Sequence, residues 1–254
     1  MLLTIDIGNS NIIFGIYKGE ELIFVARIAT DLRKTGDQYA IDIKDILALY
    51  GVDPAPIDSV IISSVVPSLE LAFKRTSNAL FGVTPLIVGP GVKSGLDIKI
   101  DNPAQLGADL VATAVAAIKK HPLPAVIFDF GTATKAGVID KNGVFIGAVI
   151  SAGMEISLDA LAKNTSLLPQ ISIEAPKSVI GKNSVDSMKS GLVLGTAAMI
   201  DGIYERICEE IGEKATLIAT GGLANEVVKH CKHKIIYNEF LLLDGLKAIF
   251  DKNR

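Results

Sequence analysis

The residues with the greatest capacity for chemistry lie in two similar stretches. The first is Leu3-Thr4-Ile5-Asp6-Ile7-Gly8-Asn9-Ser10-Asn11, and the second is Ala125-Val126-Ile127-Phe128-Asp129-Phe130-Gly131-Thr132-Ala133-Thr134. Each is a β-rich run that ends in Asp-x-Gly and continues into small polar side chains. A Gly-Ile or Gly-Val pair (Gly15-Ile16, Gly137-Val138) and a second turn (Lys18-Gly19, Asn142-Gly143) follow in both. Such a strand-turn-strand unit is suited to phosphate. Glycine lets the backbone approach an anion and turn N–H groups form a concavity for it. The aspartate holds a metal ion that neutralises the phosphates. One Asp-Ile-Gly-Asn-Ser-Asn alone reads more readily as an ordinary hairpin. Two copies half a chain apart, with Thr220-Gly221-Gly222 as a later turn after a strand, point to an internal duplication and two phosphate hairpins.

A third chemical candidate is Asp109 in Gly107-Ala108-Asp109. A carboxylate one turn into a helix can orient an acceptor hydroxyl and take its proton. The plain alternative is a first-turn acid favoured by the helix dipole. With Gly107 beside it and two phosphate hairpins in the same chain, the base role is preferred.

The elements that must position these groups follow from pattern and punctuation. Residues 2–7, 12–17 and 22–26 read as strands separated by turns at Gly8-Asn9-Ser10-Asn11 and Lys18-Gly19. A helix is expected from about Gln38 to Tyr50, stopped by Gly51. A buried strand over 60–64 precedes a helix that opens at Pro67 and runs to about Phe81. A short strand covers 86–88. Asn102-Pro103 looks like an N-cap with proline at the first helical position, starting a helix to about Lys120. After the second hairpin come helices over 154–163 and 185–211, a strand over 216–219 and a closing helix over 241–250. The expected division is an N-terminal lobe, residues 1–118, and a C-terminal lobe, residues 119–254.

Bulk properties narrow the class. With 254 residues and 49% hydrophobic against 21% charged side chains, the chain can bury a large core. A net charge of -3 argues against nucleic acid as partner. Mean hydropathy is +0.42, yet no apolar run reaches the ~18 residues of a spanning helix, so no membrane partner is expected and buried parallel strands account for the value. The start, Met1-Leu2-Leu3-Thr4-Ile5-Asp6, meets an acid at once and lacks the features of a signal peptide. Two cysteines, Cys208 and Cys231, form no disulfide framework, and a cytoplasmic location is expected. Cys208 falls in an apolar stripe with Ile203 and Ile211. His230-Cys231-Lys232-His233 lacks a second ligand group with matching spacing and is not read as a metal site.

Two hairpins and a late Gly-Gly turn are the arrangement of the actin/hexokinase/Hsp70 superfamily, an α/β fold of two related, ribonuclease-H-like lobes with ATP between them. Within it the chain resembles the type III pantothenate kinases along its whole length. The carrying motifs are Asp6-Ile7-Gly8-Asn9-Ser10-Asn11, Asp101-Asn102-Pro103, Gly107-Ala108-Asp109, Asp129-Phe130-Gly131-Thr132-Ala133, Gly181-Lys182-Asn183-Ser184, Ser190-Gly191 and Thr220-Gly221-Gly222. The resemblance implies ATP-dependent phosphorylation of pantothenate, the entry step to coenzyme A. It implies that Asp6, Ile7, Gly8, Asn9, Ser10, Asn11, Ile12 and Ile13 hold the ATP phosphates, with Mg²⁺ on Asp6. Thr132 would support the nucleotide, and Gly221 and Gly222 would pass the adenosine. Asp129 would bind an activating monovalent cation, K⁺ or NH₄⁺. Ile100, Gly107, Ala108, Asp109, Leu110 and Ser184 would line the pantothenate pocket, with Asp109 as base. It further implies a dimer in which the acceptor pocket forms where two subunits meet.

The chain departs from that family's pattern on the acceptor side. Leu110 stands where the family has Arg, a fixed fork of donors. Ile100 stands where it usually has Tyr, and Lys135 where it has Thr. Gly147-Ala148 and Ala152-Gly153 replace Gly-Gly and Pro-Gly. Besides an active homodimer, the departures suggest one subunit of a mixed dimer with a motif-complete paralogue, a catalytically impaired or regulatory subunit, or a kinase for a different small alcohol. Lys135 reads as a solvated turn lysine, with a charge aimed at phosphate as the alternative.

Overall fold

The computed structural model describes residues 1–254. The chain forms two units: residues 1–95, 102–116 and 242–254 make the first, and residues 96–101 and 117–241 the second. The main passage from one to the other, at 116/117, falls two residues before the expected boundary. Two segments are exchanged across that simple cut, 96–101 into the second unit and 242–254 into the first.

In the first unit, β1 (Leu2–Ile7), β2 (Asn11–Lys18), β3 (Glu21–Ala29), β4 (Ser59–Ser64) and β5 (Leu86–Ile87) form a sheet in the order β3-β2-β1-β4-β5. β1 is antiparallel to β2 and parallel to β4. Leu3, Ile5 and Ile7 of β1 bury completely with Phe14 and Ile16 of β2, against Tyr39 and Ile43 of α1 (Gly36–Leu49) and Leu69 and Phe73 of α2 (Pro67–Phe81). Helix α1 starts at a reciprocal cap, in which Thr35 Oγ1 accepts from Gln38 N and Gln38 Oε1 accepts from Thr35 N. Helix α2 opens on Pro67, whose missing N–H costs nothing at that position, and ends at Gly82 with φ 65°.

Two further helices lie mostly here. The expected single helix from Asn102 is interrupted. Asn102 Oδ1 caps only a 3₁₀ turn, Pro103–Gln105, and the extended backbone of Leu106 separates it from α3 (Ala108–Lys120). The closing helix, α8 (Leu241–Lys252), joins the first unit from Leu242 onward. Its Asp244 Oδ1 accepts a 2.8 Å hydrogen bond from the buried Tyr17 hydroxyl on β2, and Lys247 pairs with Glu20 in the following turn.

The second unit repeats the plan. β7 (Ala125–Phe130) is antiparallel to β8 (Ala133–Ile139) and parallel to β10 (Thr216–Thr220). With β6 (Asp97–Ile98), β9 (Val144–Ala152) and β11 (Ile236–Tyr237) the order is β11-β10-β7-β8-β9-β6. The run β9-β8-β7-β10-β11 therefore matches β3-β2-β1-β4-β5 strand for strand, and the duplication suspected from the motifs is present in topology. Val126, Phe128 and Phe130 of β7 pack with Leu217 and Ala219 of β10 against the helices of the unit, α4 (Met154–Asn164), α5 (Ser184–Lys189), α6 (Gly195–Ile211) and α7 (Ala224–Val228). A π-helical turn, Ser190–Leu194, joins α5 to α6, so the expected helix over 185–211 is one path with a widened middle. Cys208, Ile203 and Ile211 pack against this core as the stripe suggested. No helix is long and apolar enough to cross a membrane.

Candidate functional site

The first hairpin is tight. Gly8 N donates to Asn11 O at 3.0 Å, and a side chain at Gly8 would place its Cβ 2.9 Å from that oxygen. Thr30, beyond β3, clamps the tip: its hydroxyl donates to Gly8 O at 2.7 Å and its N–H to Ser10 O at 3.0 Å. Asn9, Ser10 and Asn11 are exposed. Ile7 and Ile12 are fully buried and Ile13 is half-buried. The first two can offer a ligand only their backbone.

Asp6 is the penultimate residue of the hairpin's first strand, opposite Ile13. The carboxylate has contacts within the protein, while its Oδ1 is buried and accepts no hydrogen bond. Its partner on the parallel strand is Ser63, also completely buried, whose hydroxyl makes no hydrogen bond. A carboxylate with a hydroxyl beside it at the end of a strand is an oxygen donor set of the kind Mg²⁺ takes, through one carboxylate and substrate phosphates. The residues present fit that ion.

Asp109 is the second residue of α3 and is buried. Its Oδ1 accepts from Leu110 N at 2.8 Å, folding the carboxylate back over Gly107, where any Cβ would collide with it. A side chain at residue 107 would therefore displace the acid from this position. Leu110 is buried too, so the substitution for Arg places an apolar side chain in the interior of the unit. Ala108 is half-buried, and so is Ile100 just beyond β6 in the second unit.

One residue links Asp109 to the hairpin. Val65 follows β4; its N–H donates to Ile7 O at 3.0 Å, and its Cγ1 lies 3.7 Å from the Cβ position of Gly107. Val65 is thus hydrogen-bonded to the base of the first hairpin and lies next to the turn that precedes Asp109. Sequence reasoning missed Val65 and Ser63. The only signal was a pair of serines, Ser63-Ser64, closing an otherwise apolar strand.

In the second unit the tip Gly131-Thr132 is approached by two other glycines. A Cβ on Gly153 would collide with the carbonyls of Gly131 and Thr132, and one on Gly221 (φ 93°) would lie 2.6 Å from Phe130 O. Gly221 O accepts from the Tyr237 hydroxyl at 3.4 Å, while Gly222 is exposed. Of the departures near this tip, Ala152-Gly153 keeps the residue that the geometry demands.

Lys135 corrects the reading of a solvated turn lysine. It lies within β8 directly opposite Asp129, its Nζ is 3.0 Å from Asp129 Oδ2, and the two side chains are 17% and 16% exposed. The second tip has two residues outside the strands, 131 and 132, against three in the first, 8–10, which brings residue 135 into register with the acid. Because an ammonium group already sits on this carboxylate, Asp129 does not fit a site for K⁺.

Ser184, exposed, opens α5, whose cap is Asn183 Oδ1 accepting from Asp186 N at 2.9 Å. With Gly181, Lys182, Ser187, Met188 and Leu161 it lines a cavity of about 600 Å³. The basic stretch 229–234 follows α7. There His233 contacts Glu205 at 2.9 Å and packs on the Tyr204 ring, and Asp201 accepts from the N–H groups of Lys232 and His233.

Two related sheets, each with an Asp-x-Gly hairpin at its centre, define the class as a mixed α/β fold of the actin/hexokinase/Hsp70 kind. Solved structures agree on the fold. A Campylobacter jejuni protein described as a Baf family transcriptional activator superposes with a TM-score of 0.62 at 20% identity, covering 99% of this chain and 98% of that one. The activator of the 2-hydroxyisocaproyl-CoA dehydratase from Clostridium difficile, with bound ADPNP, gives 0.53 at 13% identity over 99% and 95%. The profile of the type III pantothenate kinase family matches residues 2–206, and a type III pantothenate kinase of Exiguobacterium is 43% identical over 254 residues, 100% of both chains. The chain belongs to the type III pantothenate kinase family.

Proposed function

We propose that this chain transfers the γ-phosphoryl group of ATP to pantothenate, giving 4'-phosphopantothenate in the first step of coenzyme A biosynthesis, in the cytoplasm. The observation that carries the reading is the end-to-end similarity to relatives named for this activity, with Asp6 and Asp109 both retained and linked through Val65. In the first unit, backbone N–H groups of the Gly8-Asn9-Ser10 tip receive phosphate oxygens, and Asp6, with Ser63 beside it, holds Mg²⁺. Bound there, the ion neutralises charge developing on the transferred group. Asp109, fixed at the start of α3, accepts the proton of the attacking hydroxyl while orienting it for in-line displacement. In the second unit, Thr132 and the Gly221-Gly222 turn are nucleotide contacts, and Ser184 at the mouth of its cavity is an acceptor contact. A second subunit completes the acceptor pocket. Val149, Ile150, Leu161, Val179 and Ile180 are large apolar side chains exposed on the second unit and are the candidates for its burial.

The test is ADP release with pantothenate as acceptor, for the wild type and for Asp109→Asn. The expected result is pantothenate-dependent turnover that falls about 10²–10⁴-fold in the variant. ATP binding without turnover would instead support the impaired-subunit reading. Mixing with a motif-complete paralogue, followed by native mass spectrometry, then decides whether a mixed dimer is the active form. Turnover only with other alcohols would move the substrate.

A further inference from the structure

We infer that Lys135 is a built-in monovalent cation, so that this kinase runs without an added K⁺ or NH₄⁺ ion. The carboxylate that the family resemblance gives to such an ion, Asp129, holds the Lys135 ammonium at 3.0 Å. The two residues are direct cross-strand partners of an antiparallel pair, where side chains opposite each other point to the same face. That face lies opposite the unit's apolar core, because the neighbouring residues of β7, Phe128 and Phe130, enter the core. Thr220 on β10 flanks Asp129 on its other side, so Thr220, Asp129 and Lys135 form one row across three strands ending at the Gly131-Thr132 and Thr220-Gly221 turns.

Three physical points favour the substitution of one cation for another. The charge is the same, +1, and it is delivered to the same carboxylate. Lysine presents its charge as a compact ammonium with three donors, chemically an alkylated NH₄⁺, where arginine would present a planar fork. The lysine is tethered by a strand register, so it competes with solution ions as an intramolecular ligand at high effective concentration. A surface ion pair would exchange freely with salt, but these side chains are 17% and 16% exposed, and such pairs are screened far less. The short tip of the second hairpin is the device: were the same chain to leave one more residue unpaired there, as in residues 8–10, Ala136 and not Lys135 would stand opposite Asp129, and the lysine would turn to the other face.

The test compares wild type with Lys135→Thr, which removes the ammonium and leaves room beside Asp129. Assays run in tetramethylammonium chloride and in KCl or NH₄Cl, each at about 100 mM so that screening is constant. Wild-type turnover should differ by less than about twofold between the salts. Loss of one preorganised charge costs on the order of 10²–10³ in rate, so Lys135→Thr should fall by about that factor in tetramethylammonium and recover at least about tenfold in K⁺ or NH₄⁺. The second readout is melting without substrates. K⁺ should raise the midpoint of Lys135→Thr relative to tetramethylammonium and leave wild type unchanged, because only a protein with a K⁺ site gains stability from the ion. Turnover or melting of the wild type that depends specifically on K⁺ overturns the inference, as does a variant that folds but responds to no cation. The rate arm rests on the kinase reading above; the melting arm rests on the ion pair alone and remains decisive even if pantothenate is not the acceptor.

Discussion

Gly221→Ala separates two costs that a single substitution usually mixes. Gly221 has φ 93°, where an L side chain is strained, and its Cβ would lie 2.6 Å from O, 2.9 Å from C and 2.9 Å from N of Phe130. All three are backbone atoms of the residue before Gly131, so the collision cannot be relieved by rotating a side chain. The left-handed conformation costs about 1–2 kcal/mol, and forcing the backbone apart costs a further ~1–3 kcal/mol. Taking about 3 kcal/mol in all, and ~2–4 °C per kcal/mol for a chain of this size, the melting midpoint should fall by about 6–12 °C. Gly212→Ala is the control for φ alone. It caps α6 at φ 74° with no atom within 4 Å, and should lower the midpoint by about 2–8 °C. Gly147→Ala, with ordinary φ and open space, should stay within ~2 °C. Calorimetry on the three variants gives the differences directly. Because relief of the collision shifts Phe130 and with it the Gly131-Thr132 tip, ADP titration of Gly221→Ala should also show about tenfold or greater weakening, while Gly212→Ala should bind normally. A Gly221→Ala protein that melts with Gly212→Ala and binds ADP normally would refute both the packing and its placement at the nucleotide.

Asp6→Asn should abolish ATP turnover by about 10²–10³-fold or more with a melting midpoint within about 4 °C of wild type; steady-state kinetics and a melt on one sample check it, and wild-type turnover would end the phosphate-hairpin reading. Ser63→Ala removes a buried hydroxyl that makes no hydrogen bond, so stability should hold or rise by about 1 kcal/mol, while the Mg²⁺ concentration needed for half-maximal rate should increase. A loss of stability without a change in Mg²⁺ dependence would make Ser63 purely structural. Burial, helped by the Asp201 carboxylate, pushes the Cys231 thiol up to about 12. The folded state therefore favours the neutral thiol. That contribution is complete below the ordinary thiol range near pH ~8.5 and is lost as pH rises through about 12. Melting midpoints should decline over that window less steeply in Cys231→Ala, and alkylation of Cys231 at pH ~9 should be about 10²-fold slower than for a free thiol.

What the sequence determined by itself was whatever is written in neighbouring residues. The Asp6 and Asp129 hairpins, the Pro67 start of α2 and the closing amphipathic helix are set by period-two and helical patterns, glycine turns and proline, all within one element's length. Two copies of one motif sufficed to reveal the duplication, because a repeat is a property of order along the chain. The cap signal at Asn102-Pro103 is genuine but opens only a short turn, because the extended backbone of Leu106 breaks the path before α3 begins at Ala108. Contacts between distant segments were not legible. Val65 joins Ile7 to Gly107 across 58 and 42 residues, and Ser63 stands beside Asp6 only because β4 pairs with β1 in that register. Lys135 looked like a turn residue because hairpin register depends on how many residues the tip leaves unpaired, and a difference of one residue decides which side chain faces Asp129. Tertiary structure alone decided that the lysine is an ion-pair partner, since charge and exposure are set by what lies across the sheet and not by the next residue in the chain.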